Sequence, residues 1–212
     1  MPDRTVVAFD LDGTLTRRDT LLPFLRRACG GTRTSRAVLA QSLLVLRYLG
    51  GGGVRDRLKV GLLGQLLRGL ELAALEESAE AFADLVTGSR LRPLVRERLD
   101  WHRDQGHELV IVSASPELYV APIGRRLGFG AVLGTRLECD ADGRLTGRLV
   151  GRNCRGREKV ARLREWLGPE AAFLYAYGDS AGDKELLEAA DVGVRVVRGR
   201  LPPVATRDAA AP

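Results

Sequence analysis

Four short apolar runs punctuate the chain: Val6–Phe9, Leu109–Val112, Phe173–Ala176 and Val192–Val197. Each has strand length and most are β-branched, the pattern of buried strands. Between them lie segments with helical spacing, namely Leu91–Gln105, Leu118–Leu127, Lys159–Leu167 and Lys184–Ala190. Strands alternating with helices predict an α/β fold with a doubly wound parallel sheet. In such a sheet the ligand site lies beyond the carboxyl ends of the strands, where strand order reverses.

One stretch breaks the alternation. From about Asp19 to Gly88 the spacing is helical and leucine-rich throughout, with Leu21, Leu22, Phe24 and Leu25, then Val38, Leu39, Leu43 and Leu46, then Leu62, Leu63, Leu66 and Leu67. The run Gly50–Gly53 must separate two helices, because four glycines inside one are costly. We therefore expect an all-helical insert of about four helices over residues 17–88. A core of residues 1–16 and 89–200 would surround it, and 201–212 would form a loose tail. Thr135–Glu138 and Arg144–Val150 flank Asp140-Ala-Asp-Gly143 and read as a β-hairpin.

Composition narrows the class. The 212 residues are 45% hydrophobic and 28% charged, which excludes disordered and fibrous chains. The net charge of +6 favours anionic partners, but only 5% of residues are aromatic, so a stacking platform for nucleic acid is not expected. Residues 17–68 carry eleven Arg or Lys against Asp19 and Asp56, so most of the excess charge lies on the insert. A leucine and arginine surface of this kind can rest on an anionic membrane; a soluble bundle with solvated arginines explains it too. The three cysteines have no close pair, which points away from a disulfide framework or a zinc site, and they read as buried filler. His102 and His107, near a helix end, read as surface or capping residues. No leader and no spanning segment of about 18 apolar residues is visible, so a cytoplasmic location is expected. The pattern carries no sign of oligomeric state.

Four elements carry the chemistry. The first is Val6-Val-Ala-Phe-Asp10-Leu-Asp12-Gly-Thr, two carboxylates directly after a strand. Alone, it could be an Asp-Gly turn with solvated acids. The second, Val110-Ile-Val-Ser113-Ala114-Ser115-Pro116, ends a strand with N–H groups and a hydroxyl that could cradle phosphate, or simply cap a helix. The third is Lys159, placed at a helix start against the helix dipole; a surface lysine is the plain alternative. The fourth, Tyr177-Gly-Asp179-Ser-Ala-Gly-Asp183, sets two acids where both can face one cation, or where one caps a helix.

Together, in this order, these elements resemble the motifs of the haloacid dehalogenase superfamily. The insert after the first motif is similar to the C1 cap of its phosphoserine-phosphatase-like branch, subfamily IB. The resemblance implies a phosphomonoester hydrolase dependent on Mg²⁺. Asp10 would be the nucleophile and Asp12 the general acid and base. Ser113, Ala114 and Lys159 would hold phosphate. Asp10, Asp179 and the backbone carbonyl of Asp12 would hold the metal, and Asp183 its outer shell. Asp19, nine residues after Asp10, would face substrate, with Arg17 and Arg18 as further candidates. Dehalogenases of the family lack an acid at the position of Asp12. The sequence departs from the phosphoserine-specific pattern in having Asp-Gly-Thr in the first motif, Ser-Ala-Ser-Pro in the second, and Gly182 in the last. An amino-acid, polyol or sugar phosphate is the expected substrate. A phosphatidylglycerophosphate-type lipid phosphatase, a phosphotransferase and a non-enzymatic adaptor are the alternatives.

Overall fold

A computed structural model describes residues 4–47, 54–197 and 200–202. The glycine run Gly50–Gly53 and residues 203–212 lie outside the described residues. Five strands form one sheet: β1 (Thr5–Phe9), β2 (Glu108–Pro116), β3 (Ala131–Thr135), β6 (Phe173–Gly178) and β7 (Val192–Arg195), in the order β3-β2-β1-β6-β7. Every pairing in it is parallel. Between β3 and β6 a separate antiparallel hairpin joins β4 (Leu137–Cys139) to β5 (Leu145–Leu149). Strand β3 is not marked in the hydrophobic pattern, because Gly134 interrupts its short apolar run and Thr135 fits the hairpin pattern equally well.

Alternate residues of the buried strands serve opposite faces. Val7, Phe9, Ile111, Tyr175 and Tyr177 join one apolar cluster. Val6, Ala8, Val110, Val112, Leu174 and Ala176 join the other, against helices α7 (Arg157–Leu167) and α8 (Lys184–Glu188). The order of strands reverses beside β1, so the ends of β1 and β6 flank the crevice where a doubly wound sheet places its ligand.

Between β1 and α5 (Pro93–Asp104) run α1 (Leu21–Cys29), α2 (Gly31–Arg47), α3 (Val54–Leu67) and α4 (Leu72–Ser89). The chain leaves the sheet at Thr16 and returns at Leu91, and these two residues form an antiparallel bridge. Arg92 reinforces the crossing, its Nε donating to the carbonyl of Gly13 at 2.9 Å. The insert's helices pack on one another, and their apolar side chains run on into the cluster that holds one face of the sheet. Leu25, Leu63, Leu66, Leu67 and Phe82 share that cluster, α4 packs on α6 (Glu117–Arg126) through Phe82 and Tyr119, and Phe24 of α1 lies against both rings. No described helix is long and apolar enough to cross one.

Helix α3 also rests on β5 by a close glycine contact. A Cβ built on Gly147 would lie 3.0 Å from the carbonyl oxygen of Gly64, and Gly147 has φ +81°. Both features exclude a larger residue. Gly147→Ala is expected to cost about 1–3 kcal/mol, read by urea unfolding, and to speed hydrogen exchange in α3 and β5 selectively. Unchanged exchange in both elements would contradict this packing.

Three smaller expectations are corrected. His102 is fully buried rather than at the surface, with Nε2 2.8 Å from the Tyr177 hydroxyl and Nδ1 2.9 Å from Nδ1 of His107. Burial, with His107 and Arg98 adding to it, pushes its pKa down to about 3. Of the cysteines only Cys154 is buried, whereas Cys139 is exposed. Beyond the last strand, Leu201 packs against the core and the Pro202 carbonyl accepts from Arg98 at 2.6 Å, so these two residues are held in place.

Candidate active site

Asp10 follows β1 directly, and its N–H still pairs with the carbonyl of Tyr177 on β6 at 2.9 Å. The chain then turns over Leu11–Leu15, with Gly13 at φ +86°. That turn brings Asp10 and Asp12 to the carboxyl edge of the sheet, where Gly178 ends β6 and Asp179 begins the next loop. Lys159, near the start of α7, reaches the same edge and is 1% exposed. Its Nζ donates to Asp10 Oδ1 at 2.6 Å and to Asp183 Oδ1 at 2.5 Å. The other Asp183 oxygen accepts from the N–H and hydroxyl of Ser180, at 3.0 and 2.7 Å.

One lysine faces several acids. Burial pushes Asp10 up to about 7, with Asp183 and Asp12 adding to the rise and Lys159 opposing it. Burial, then Asp183, also raises Asp179. Asp183 ends below the usual carboxylate range: burial acts against this, but Lys159 and Ser180 outweigh it. Burial opposes the charge on Lys159 too, yet Asp10 and Asp183 raise its pKa further, so it stays protonated.

The unbalanced negative charge is one that a cation would neutralise. One oxygen each from Asp10, Asp179 and Asp183 lie within 4.8 Å of one another. Asp179 Oδ1 is buried and has no hydrogen-bond partner. Hard oxygen donors with an orphaned acceptor fit Mg²⁺, which prefers carboxylates and water. The Asp12 carboxylate is not a member of this cluster; any ligand atom from Asp12 would be its backbone carbonyl, in the turn. Gly13 keeps the space open, since a Cβ there would lie 2.2 Å from Asp179 Oδ2. Gly13→Ala is accordingly expected to weaken Mg²⁺ binding at least about tenfold by displacing Asp179, measured calorimetrically without substrate. An unchanged affinity would remove Asp179 from the metal account.

Asp12 is held separately. Its Oδ1 accepts from the N–H and hydroxyl of Thr20, at 2.7 and 2.6 Å, and its Oδ2 from the Ser115 hydroxyl at 2.5 Å. Burial raises its pKa, with Asp19 adding to the rise. Thr20 and Ser115 were not among the residues expected at the site. Ser115 was visible only as a possible helix cap, and Thr20 had no motif at all. Strand β2 runs on to Pro116, so Ser113–Ser115 continue the strand, and the Ser115 N–H donates to Ser113 Oγ at 3.1 Å.

A cavity of about 730 Å³ opens over these groups. Ser113, Ala114 and Asp179 line it near the sheet; Arg17, Arg18 and Asp19 line it on the insert's side. Asp19 also anchors α1, its Oδ1 accepting from the N–H of Leu21 at 2.9 Å. Helix α3 supplies Lys59, another residue that sequence reasoning missed. Its Nζ donates to the Ala114 carbonyl and, at 3.0 Å, to Asn153 Oδ1. Burial pulls this lysine down to about 8, although Asp12, Asp19 and Asp56 oppose the shift. Asn153 in turn donates to Asp56 at 2.9 Å, so α3 is clasped to the core across the cavity.

Known proteins share this architecture. Protein CicA of Caulobacter vibrioides is 45% identical over 197 residues, spanning 92% of this chain and 87% of that protein. A probable phosphatase of Mycobacterium tuberculosis is 33% identical over 198 residues, 88% of this chain and 66% of that one. A solved structure from Bordetella pertussis Tohama I, a protein with unknown function, superposes with a TM-score of 0.70 at 28% identity, covering 88% of this chain and 86% of that one. An apo phosphoserine phosphatase shares the fold, with a TM-score of 0.57 at 19% identity over 91% of this chain and 85% of that one. A family model described as haloacid dehalogenase-like hydrolase matches residues 7–188. That match runs from the first strand to the end of the last helix, and on it the chain belongs to the haloacid dehalogenase-like hydrolases.

Proposed function

We propose that this enzyme hydrolyses a small-molecule phosphate monoester through Asp10, with Mg²⁺ as cofactor. One observation carries the reading: a buried lysine shared by Asp10 and Asp183, beside an Asp179 oxygen that no protein group satisfies. Asp10 and Asp179 would hold the cation with the Asp12 carbonyl, and Asp183 would fix Lys159. When bound, the cation supplies positive charge between the carboxylates and the phosphate dianion. The free Asp10 oxygen attacks phosphorus as the ester P–O bond breaks, leaving an aspartyl-phosphate. Lys159 and the Ser113–Ala114 segment hold the non-bridging oxygens. Asp12, held by Thr20 and Ser115 and with its pKa raised by burial, gives a proton to the departing alkoxide. It then takes a proton from the water that attacks the aspartyl-phosphate, and phosphate leaves with Asp10 restored.

The division into core and lid fits the same chemistry. The paired crossing at Thr16 and Leu91 supports reading residues 17–88 as a lid, and the Lys59 clasp would hold it closed while water is excluded. On the insert's side, Arg17, Arg18 and Asp19 beside Leu21, Leu22 and Val38 suit a polar leaving group with a short carbon body, as in an amino-acid, polyol or sugar phosphate. The test is phosphate release from a panel of such esters, nucleotides and lipid phosphates. Soluble esters are expected to turn over, with activity abolished by a chelator and restored by Mg²⁺. Activity indifferent to chelation would remove the metal, and a preference for lipid phosphates would overturn the substrate class.

A further inference from the structure

A second cleft, of about 880 Å³, lies against the catalytic cavity and shares Asp56, Asn153 and Arg155 with it. Its walls come from α3, from β5 with the loop that follows, and from the start of α7. Five arginines line it: Arg57, Arg148, Arg152, Arg155 and Arg157. The wall carboxylates, Asp56 and Glu158, are already engaged. Asp56 takes Arg155 at 3.5 Å, and Glu158 takes Arg162 at 3.0 Å. Arg148 is satisfied by Glu138 at 2.7 Å. Among the described residues no carboxylate lies within 4.0 Å of Arg57, Arg152 or Arg157 to form an ion pair. Arginines from three elements therefore line one cleft, and three of them, Arg57, Arg152 and Arg157, have no carboxylate partner among the described residues, which leaves the cleft with an excess of positive charge over its two carboxylates.

We propose that this cleft is a second anion site, which takes a phosphate-type dianion between α3 and the core. The guanidinium fork matches phosphate oxygens in pairs, and the open, arginine-rich wall suits a hydrated polyanion better than an apolar ligand. Because Arg57 belongs to α3 whereas Arg152 and Arg157 belong to the core, a bound dianion bridges the two sides beside the Lys59 clasp. The dianion can be a second phosphate on the substrate or a separate ion. Binding is independent of the phosphatase reading; only the choice between those sources rests on it.

The experiment titrates tripolyphosphate into the Asp10→Asn protein by calorimetry, with and without Arg57→Ala/Arg152→Ala. The double substitution is expected to weaken binding at least about tenfold. Arg26→Ala/Arg27→Ala, which removes the same charge from an exposed part of α1, is the control and should leave binding within about twofold. Unchanged affinity in the first variant, or an equal loss in the control, would overturn the proposal. Turnover by chains with Asp10 intact then separates the sources. If the substrate carries the second dianion, alkanediol bisphosphates show a lower KM than the monophosphates, and the advantage disappears in Arg57→Ala/Arg152→Ala. If a separate ion does, tripolyphosphate changes the turnover of p-nitrophenyl phosphate in the wild type alone. An absence of all turnover would refute the phosphatase reading while the calorimetric result stands.

Discussion

Asp10→Asn is expected to lower turnover by at least about ten-thousand-fold, a loss of about 5.5 kcal/mol of transition-state stabilisation. An amide nitrogen or oxygen in that place cannot form the acyl-phosphate bond, so no other group in the cavity replaces the lost step. The same substitution is expected to leave stability within about 1 kcal/mol of wild type. Asp10 is already pushed up to about 7 by burial, so a neutral isostere asks little of its surroundings. Lys159 is not orphaned either, because Asp183 remains 2.5 Å away. Phosphate release and urea unfolding on the same protein check both parts. Substantial residual turnover would exclude Asp10 as nucleophile, and a collapse of stability would mean that the charge itself supports the fold.

Lys159→Met should do the reverse to stability. It leaves Asp10 and Asp183 buried, close together and beside Asp179, with no cation among them. Breaking a buried pair in this way costs about 3–5 kcal/mol. Turnover is expected to fall as well, because in the proposed mechanism Lys159 holds the phosphate oxygens. The two losses can be separated. Lys159→Met/Asp183→Asn removes one of the stranded carboxylates and is expected to recover most of the stability but none of the activity. If the double variant is as unstable as the single one, the cost lies in the shape of the lysine and not in uncompensated charge.

The residues that were legible in the sequence are those whose chemistry is tied to a strand end. Asp10, Ser113 and Asp179 each follow an apolar run, so their convergence at one sheet edge follows from the parallel fold. Lys159 was legible from its unusual place at a helix start. Residues that reach the cavity from neighbouring elements were not. Thr20 holds Asp12 from a loop before α1, and Lys59 arrives from α3, where one lysine in a basic helix has nothing to mark it. Strand β3 was lost for a related reason, since five residues containing a glycine carry too little pattern to separate from a hairpin. The insert's leucines were legible as helical, but not their partners: they share one apolar cluster with α6 and a face of the sheet, which only tertiary packing decides.

The most direct test of the nucleophile mixes the enzyme with Mg²⁺ and a radiolabelled phosphate monoester, quenches in acid within a turnover, and maps the label to peptides. Label held on Asp10 as an acid-stable, base-labile acyl phosphate is the predicted result. Rapid hydrolysis with no label on the protein, or label on any other residue, would contradict the account.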